Sequence, residues 1–196
     1  EARHARAQYA GKVTMADRWL GQFLDLMDRF NLWENTMVVL MTDHGHFLGE
    51  HGWWGKPTCP QYQTIAHTPM FIHMPGGQYA GQRRGALTTT VDLYPTILDF
   101  FGVPARNPLH GRSLMPLLRS ECEQVRDWNL YGWFGAHVQF TDGQRIYIRS
   151  ARTETNEPLF IYTNRWSTAP WWESPLPDDR REVSRFLPTT DMPVGR

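Results

Sequence analysis

Residues able to do chemistry concentrate in one stretch of this chain. Thr42-Asp43-His44-Gly45 follows the apolar run Met37-Val38-Val39-Leu40-Met41, and Leu48-Gly49-Glu50-His51 and Lys56 come next. A carboxylate and an imidazole side by side can bind one divalent cation, because a short strand before them fixes the backbone and the turn after it aims both groups outward. A downstream ammonium can then hold an anionic group beside that cation. The pattern reads as half of a metal-assisted ester-hydrolysis site. Asp-His-Gly is also an ordinary strand-to-loop turn, with Asp bonding nearby backbone and Gly taking a positive φ. Two imidazoles, a carboxylate and an ammonium this close, just past the carboxyl end of an apolar strand, favour the ligand-collecting reading, since open α/β sheets gather ligands there.

These groups need elements to hold them. Over residues 9–30, Val13, Ala16, Leu20, Phe23, Leu24 and Met27 recur at three- and four-residue steps, which predicts an amphipathic helix that Asn31 stops. Asp17 falls on the apolar stripe of that helix and is expected to be buried against a donor. Residues 36–41 and 69–75 are apolar runs without polar alternation, as expected of central strands covered on both faces. The two dozen residues between them show no clear period and read as a functional loop. A helix is expected around residues 93–101, with Pro95 in its first turn and Gly102 after its end, and a further helical turn or two over 113–119. Aromatic and β-branched stretches at 129–139 and 144–149 flank Asp142-Gly143, a hairpin signal, and 159–162 adds another expected strand. The tail from 174 to 196, rich in Pro and charge, reads as an irregular wrap.

Composition limits the functional classes. The 196 residues carry 20 Lys+Arg against 20 Asp+Glu, so the formal net charge is zero and no basic excess points to nucleic acid as an obligate partner. No apolar run approaches the roughly 20 residues a membrane helix needs, so no membrane partner is expected. The two cysteines, Cys59 and Cys122, are too few for a disulfide framework. Reduced thiols and a cytoplasmic setting are the default, although the chain begins at Glu1 and a targeting segment is not observable. Trp166, Trp171 and Trp172 read first as packing for a long loop and second as the wall of a pocket.

Beyond the tetrad, an ordered series runs from about residue 9 to about residue 118. It comprises Tyr9 with Val13 through Asp17 and Gly21, Asn35-Thr36, Lys56-Pro57, Thr68-Pro69 with Pro75-Gly76, Asp92-Leu93 with Pro95-Thr96, and His110-Gly111 with Ser113-Leu114. Together with Thr42-Asp43-His44-Gly45 and Leu48-Gly49-Glu50-His51, this series resembles the carboxyl-terminal half of the sulfatase family within the alkaline phosphatase superfamily. The resemblance implies an α/β fold: part of an alkaline-phosphatase-like, mostly parallel sheet with helices, plus a smaller C-terminal antiparallel sheet. Residues 1–120 would be the C-terminal part of the catalytic α/β domain, 121–173 a small antiparallel β subdomain, and 174–196 the tail.

The resemblance also implies roles. Asp43 and His44 look like two metal ligands, and Lys56 looks like the catalytic lysine that binds the oxygens of the transferred group. Calcium is the family's usual ion, while an imidazole ligand keeps Mn, Fe or Zn open. The family's nucleophile is a formylglycine made from Cys or Ser in a CxPxR motif. Neither cysteine fits, since Cys59-Pro60-Gln61 has its proline adjacent, and Gly102-Val103-Pro104-Ala105-Arg106 has glycine where the nucleophile should be. The nucleophile is therefore expected in a missing N-terminal half, which becomes this chain's partner, and the chain alone is expected to be silent. The expected substrate is a small-molecule or sugar sulfate ester. A phosphonate monoester or phosphodiester hydrolase of the same superfamily is the alternative, and the residues leave the oligomeric state open. From a different class, the chain could be a non-catalytic metal-binding or interaction module, with His44, His46 and His51 as a compact zinc site. His46, His51 and His67 are candidate proton donors to a leaving alcohol.

Overall fold

The structure is a computed structural model that describes residues 1–56, 59–133 and 135–153, together with the backbone of 181–183 and 193–195. The chain divides into two compact units: residues 1–87 with 127–149, and residues 88–126 with 150–196.

The first unit begins with helix α1, Ala2–Arg29. Helical spacing continues further toward the amino terminus than the apolar stripe alone predicts, because Ala2, Ala5, Ala7 and Ala10 are strong helix formers. It stops where expected: Phe30 donates its N–H to the Leu26 carbonyl at 3.0 Å, and Asn31 turns left-handed at φ 51°. Only the last turns of the stripe pack. Met27 is buried and Leu20 and Leu24 are half-buried, whereas Val13, Trp19 and Phe23 remain exposed. Asp17 is exposed as well, so its expected burial is corrected: the part of the stripe on which it sits lies in solvent in this chain.

Strand β1, Val38–Met41, emerges after a short turn at Leu32–Glu34 and pairs with β4, Met70–His73. The pairing is antiparallel, from Val38 opposite His73 to Met41 opposite Met70. The expected mostly parallel sheet is therefore not seen among the described residues. A parallel neighbour needs a crossover of a dozen or more residues, usually a helix; between β1 and β4 the described residues form one α-helix, the four-residue α2, Gln63–Ala66. Nor are the two strands covered on both faces, since Leu40 and Phe71 are exposed.

The region between them is more ordered than its lack of period suggests. Strands β2, Phe47–Leu48, and β3, Trp54–Gly55, form a small antiparallel ladder with Phe47 opposite Gly55 and Leu48 opposite Trp54. Three left-handed residues, Gly49, His51 and Gly52, close its tip. Phe47 is fully buried against Cys59, Ile65 and the half-buried Tyr62. Burying such a ring contributes about 1.5–3 kcal/mol. Both cysteines are free thiols.

Strands β5, Asn129–Gly132, β6, Val138–Thr141, and β7, Ile146–Arg149, complete the unit as an antiparallel meander. The Asp142-Gly143 turn joins β6 to β7 as expected, with Gly143 at φ 89°. Residues 129–139, read as one extended stretch, are two strands folded at Gly132. A side chain at Gly132 would overlap the His137 carbonyl, so only glycine lets the strands close there.

In the second unit, α3, Leu93–Phe100, matches the expected helix and ends before a left-handed Gly102. Helix α4, Met115–Leu118, supplies buried Met115 and Leu117 beside buried Leu114. Within 174–196, read as irregular, the backbone pairs β8, Arg181–Val183, with β9, Pro193–Gly195. The expected strand at 159–162 and Trp166, Trp171 and Trp172 lie outside the described residues. Among the described residues, no helix is long and apolar enough to cross a membrane.

Candidate active site

Strand β1 ends at Met41, and the chain turns at once through Thr42-Asp43-His44-Gly45. The turn is fixed by its own bonds. The His44 N–H donates to Asp43 Oδ1 at 2.8 Å, and Thr42 Oγ1 donates to the His44 carbonyl at 3.2 Å. Gly45 donates its N–H to the Ile65 carbonyl at 2.9 Å, which ties the turn to the end of α2. A β-carbon on Gly45 would overlap the Thr64 carbonyl, so this approach requires glycine.

The two expected ligands point together. Asp43 Oδ2 lies 3.4 Å from His44 Nε2, with the carboxylate in solvent and the imidazole half-buried. Donors about 2.1–2.4 Å from a shared ion, at tetrahedral or octahedral angles, stand about 3.0–3.9 Å apart. The observed separation falls in that range. His44 Nδ1 is 2.8 Å from the Gly45 carbonyl. An N–H donated there assigns the tautomer that leaves the Nε2 lone pair facing Asp43, the arrangement metal-binding histidines commonly use. The Asp43 carboxyl is held below the usual carboxylate range, chiefly by the His44 backbone N–H. Burial opposes this as the second-largest effect, and a protonated His44 ring and the Lys56 ammonium add smaller lowering effects. Carboxylate and imidazole thus fit a cation as an incomplete set: among the described residues, no third His, Cys, Asp or Glu joins them.

Lys56 is exposed and follows β3 directly, and its charge is felt at Asp43. The remaining sequence candidates are placed differently. His46 stacks on Tyr9 of α1 with ring centroids 5.4 Å apart, and His51 stacks on Tyr62 at 4.2 Å. His67 is exposed just after α2. His44, His46 and His51 do not converge as a metal group, so a compact zinc site is not formed among the described residues. Glu50 accepts the Leu48 N–H at 2.6 Å and thereby orders the tip of the β2–β3 ladder, and that bond leads the causes holding its carboxyl low.

Two supporting groups escape a reading of the sequence. Arg6 donates Nε–H to the Leu48 carbonyl at 2.9 Å, and its guanidinium lies 5.8 Å from the centre of the Trp54 ring. Gln61 and Gln139, 78 positions apart, join side chain to main chain in the interior. Neither has a local signal, because each depends on a contact between distant segments.

The sequence profile of the sulfatase family matches residues 1–103. An N-acetylglucosamine-6-O-sulfatase of Bacteroides thetaiotaomicron is 33% identical over 126 residues, which are 64% of this chain and 22% of that protein. An arylsulfatase of Clostridium perfringens is 30% identical over 129 residues, 64% of this chain and 26% of that protein. A multifunctional alkaline phosphatase superfamily protein, PehA, of Trinickia caryophylli is 33% identical over 119 residues, 60% of this chain and 23% of that protein. The chain belongs to the sulfatase family. It spans about a quarter or less of the length of these relatives.

Proposed function

We propose that this chain is the portion of a metal-dependent sulfuric ester hydrolase that supplies Asp43 and His44 as two ligands of a divalent cation and Lys56 as the group that binds the transferred oxyanion. Calcium is the first choice of ion, with Mn, Fe or Zn suited by the imidazole. The observation that carries the reading is the 3.4 Å separation of Asp43 Oδ2 and His44 Nε2, with His44 Nδ1 engaged by the Gly45 carbonyl.

Lewis-acid polarisation of the ester oxygens is the chemistry that a cation would supply here. Asp43 and His44 hold it, and the Gly45 carbonyl fixes the imidazole's orientation. The Lys56 ammonium balances charge that develops on the transferred group. The nucleophile, a formylglycine, and the remaining ligands come from a part of the enzyme outside this chain, so the isolated chain is catalytically silent. Support comes from its share of its relatives' length and from the exposed apolar side chains of α1, β1 and β4 that a larger fold would cover. The substrate is a small-molecule or sugar sulfate ester, in line with the name of the Bacteroides relative. A second reading, cleavage of phosphonate monoesters or phosphodiesters, is favoured by the likeness to the multifunctional superfamily protein.

The test is made in the intact enzyme, with aryl sulfate, aryl phosphonate and phosphodiester substrates assayed in parallel and the metal measured by elemental analysis. Asp43→Asn and His44→Ala should lose metal and nearly all activity, and Lys56→Ala should lose activity with metal retained. Unchanged turnover in these variants would exclude the assignment. The ratio of kcat/KM between sulfate and phosphorus esters decides between the two readings.

A further inference from the structure

The Gln139 amide, 1% exposed on β6, forms a two-bond ring with the main chain of Gln61: its Oε1 accepts the Gln61 N–H, and its Nε2 donates to the Gln61 carbonyl at 3.1 Å. Gln61 is buried too, and its own Nε2 donates to the Cys59 carbonyl at 3.1 Å. The ring fixes the peptide planes on both sides of Gln61, as pairing with a neighbouring strand would. Since the ring is buried, water cannot replace it, and removing the amide leaves a main-chain donor and acceptor without partners.

Contacts from Gln61 onward reach the proposed metal ligands without a gap. The next residue, Tyr62, is the N-cap of α2, and its carbonyl accepts the Ile65 N–H at 2.8 Å and the Ala66 N–H at 2.9 Å. The Ile65 carbonyl in turn accepts the Gly45 N–H at 2.9 Å, where the Thr64 carbonyl leaves no room for a β-carbon. Gly45 is thus held from one side and holds from the other. Its N–H is fixed by the end of α2, and its carbonyl lies 2.8 Å from His44 Nδ1, the contact that aims Nε2 at Asp43. The same segment also packs on the chain just beyond the turn, since Cys59, Tyr62 and Ile65 surround Phe47.

We infer that Gln139 is a positioning residue for the metal-ligand turn: by gripping Gln61 it fixes the segment whose far end, Ile65, holds Gly45 and so sets the His44 imidazole against Asp43. This inference rests on the reading of Asp43 and His44 as metal ligands. It gives the late antiparallel sheet, which carries none of the proposed site residues, a part in metal affinity. The packing around Phe47 remains when the amide is removed, so the expected effect is a looser turn and weaker metal binding, not loss of the ion.

The experiment uses the intact enzyme and the divalent ion that elemental analysis finds in it. Metal dissociation constants are measured by competition with a chelator for wild type, His44→Ala, Gln139→Met, Gly45→Ala and the Gln139→Met/Gly45→Ala pair. Amide exchange over residues 43–47 is followed in the metal-free enzyme. If the wild type binds no divalent ion, or His44→Ala binds it as tightly as the wild type, the ligand reading falls, and the inference with it. With the His44→Ala loss in hand, Gln139→Met should raise the metal dissociation constant by roughly three- to tenfold and quicken exchange over 43–47 by a similar factor. Because Gly45 is the far end of the path, Gln139→Met should add little in the Gly45→Ala background. A lower melting temperature with wild-type metal affinity and wild-type exchange would mean that the ring only stabilises the fold. Equal losses with and without Gly45→Ala would mean that it acts by another route. Either result overturns the inference and leaves the ligand reading standing. Where Gln139→Met does not fold, Gln139→Asn replaces it. Its amide is one methylene too short to make both bonds, so the same weakening is expected, and wild-type affinity in that variant would overturn the inference.

Discussion

Gly45 lies so close to Thr64 that a β-carbon on the glycine would overlap the threonine's carbonyl oxygen. The neighbouring bond, Gly45 N–H to the Ile65 carbonyl at 2.9 Å, depends on the same approach. Gly45→Ala must push the Asp43-His44 turn away from α2 or deform the helix end. The expected loss of stability is about 1–3 kcal/mol, as for other overpacked sites. Thermal melting of wild-type and variant chains checks this, and an unshifted transition would show that the turn is free to retreat.

Asp43 stays ionised at lower pH than an ordinary aspartate because the His44 N–H points at its carboxylate. Its folded-state pKa is depressed, so its contribution to stability is complete above the unfolded value and disappears as pH falls through the lowered one. Metal affinity should follow the same carboxylate. The expected result of a carboxyl-carbon NMR titration is a midpoint for Asp43 below the usual range, moved further down by calcium. A midpoint at the ordinary value would remove the electrostatic argument for this turn.

The features legible in the sequence are those whose causes lie within a few residues. Asn31 ends α1 by turning left-handed, Asp142-Gly143 folds β6 onto β7, and Gly102 follows α3, each from local backbone preference. The juxtaposition of Asp43 and His44 is legible for the same reason, since adjacent residues past a strand share one turn. The pairing of β1 with β4 is not, because a run of apolar residues reports burial and is silent on strand direction. The grip of Gln139 on Gln61 is still less accessible: glutamine in a strand ordinarily faces water, and only the folded chain shows one turned inward onto a loop.

Asp92 is wholly buried in the second unit and gathers three donors. It accepts the Thr89 N–H at 2.9 Å, the Arg112 N–H at 2.8 Å and the Arg126 guanidinium. Thr96 continues the knot, since its Oγ1 donates to the Asp92 carbonyl and accepts the Leu114 N–H. Asp92→Ala leaves a largely buried guanidinium facing an apolar gap and should destabilise the unit by about 3–5 kcal/mol. Replacing both partners, as Asp92→Leu with Arg126→Met, should recover part of that loss. Chemical denaturation of the single and double variants measures it, and a single-variant loss under about 1 kcal/mol would mean that water reaches the site.

Arg6 and Glu50 grip Leu48 from opposite sides, Arg6 through its carbonyl at 2.9 Å and Glu50 through its N–H at 2.6 Å. Both side chains are exposed, so their effect on global stability is small, and their effect on the order of the β2–β3 tip is direct. Arg6→Ala removes the carbonyl bond, the cover over Trp54 and a positive charge that helps keep Glu50 ionised. Amide exchange over residues 48–54 should quicken while exchange in β5–β7 stays as in the wild type, and the Glu50 titration should move up toward the ordinary value. Because the Glu50 pKa is depressed in the folded chain, the wild-type tip should itself loosen only as pH falls through that lowered value. Arg6→Lys keeps the charge without the planar donor fork, so it should restore the titration of Glu50 more fully than the exchange protection. Equal exchange rates in wild type and Arg6→Ala would mean that the ladder and its left-handed turn hold the tip unaided.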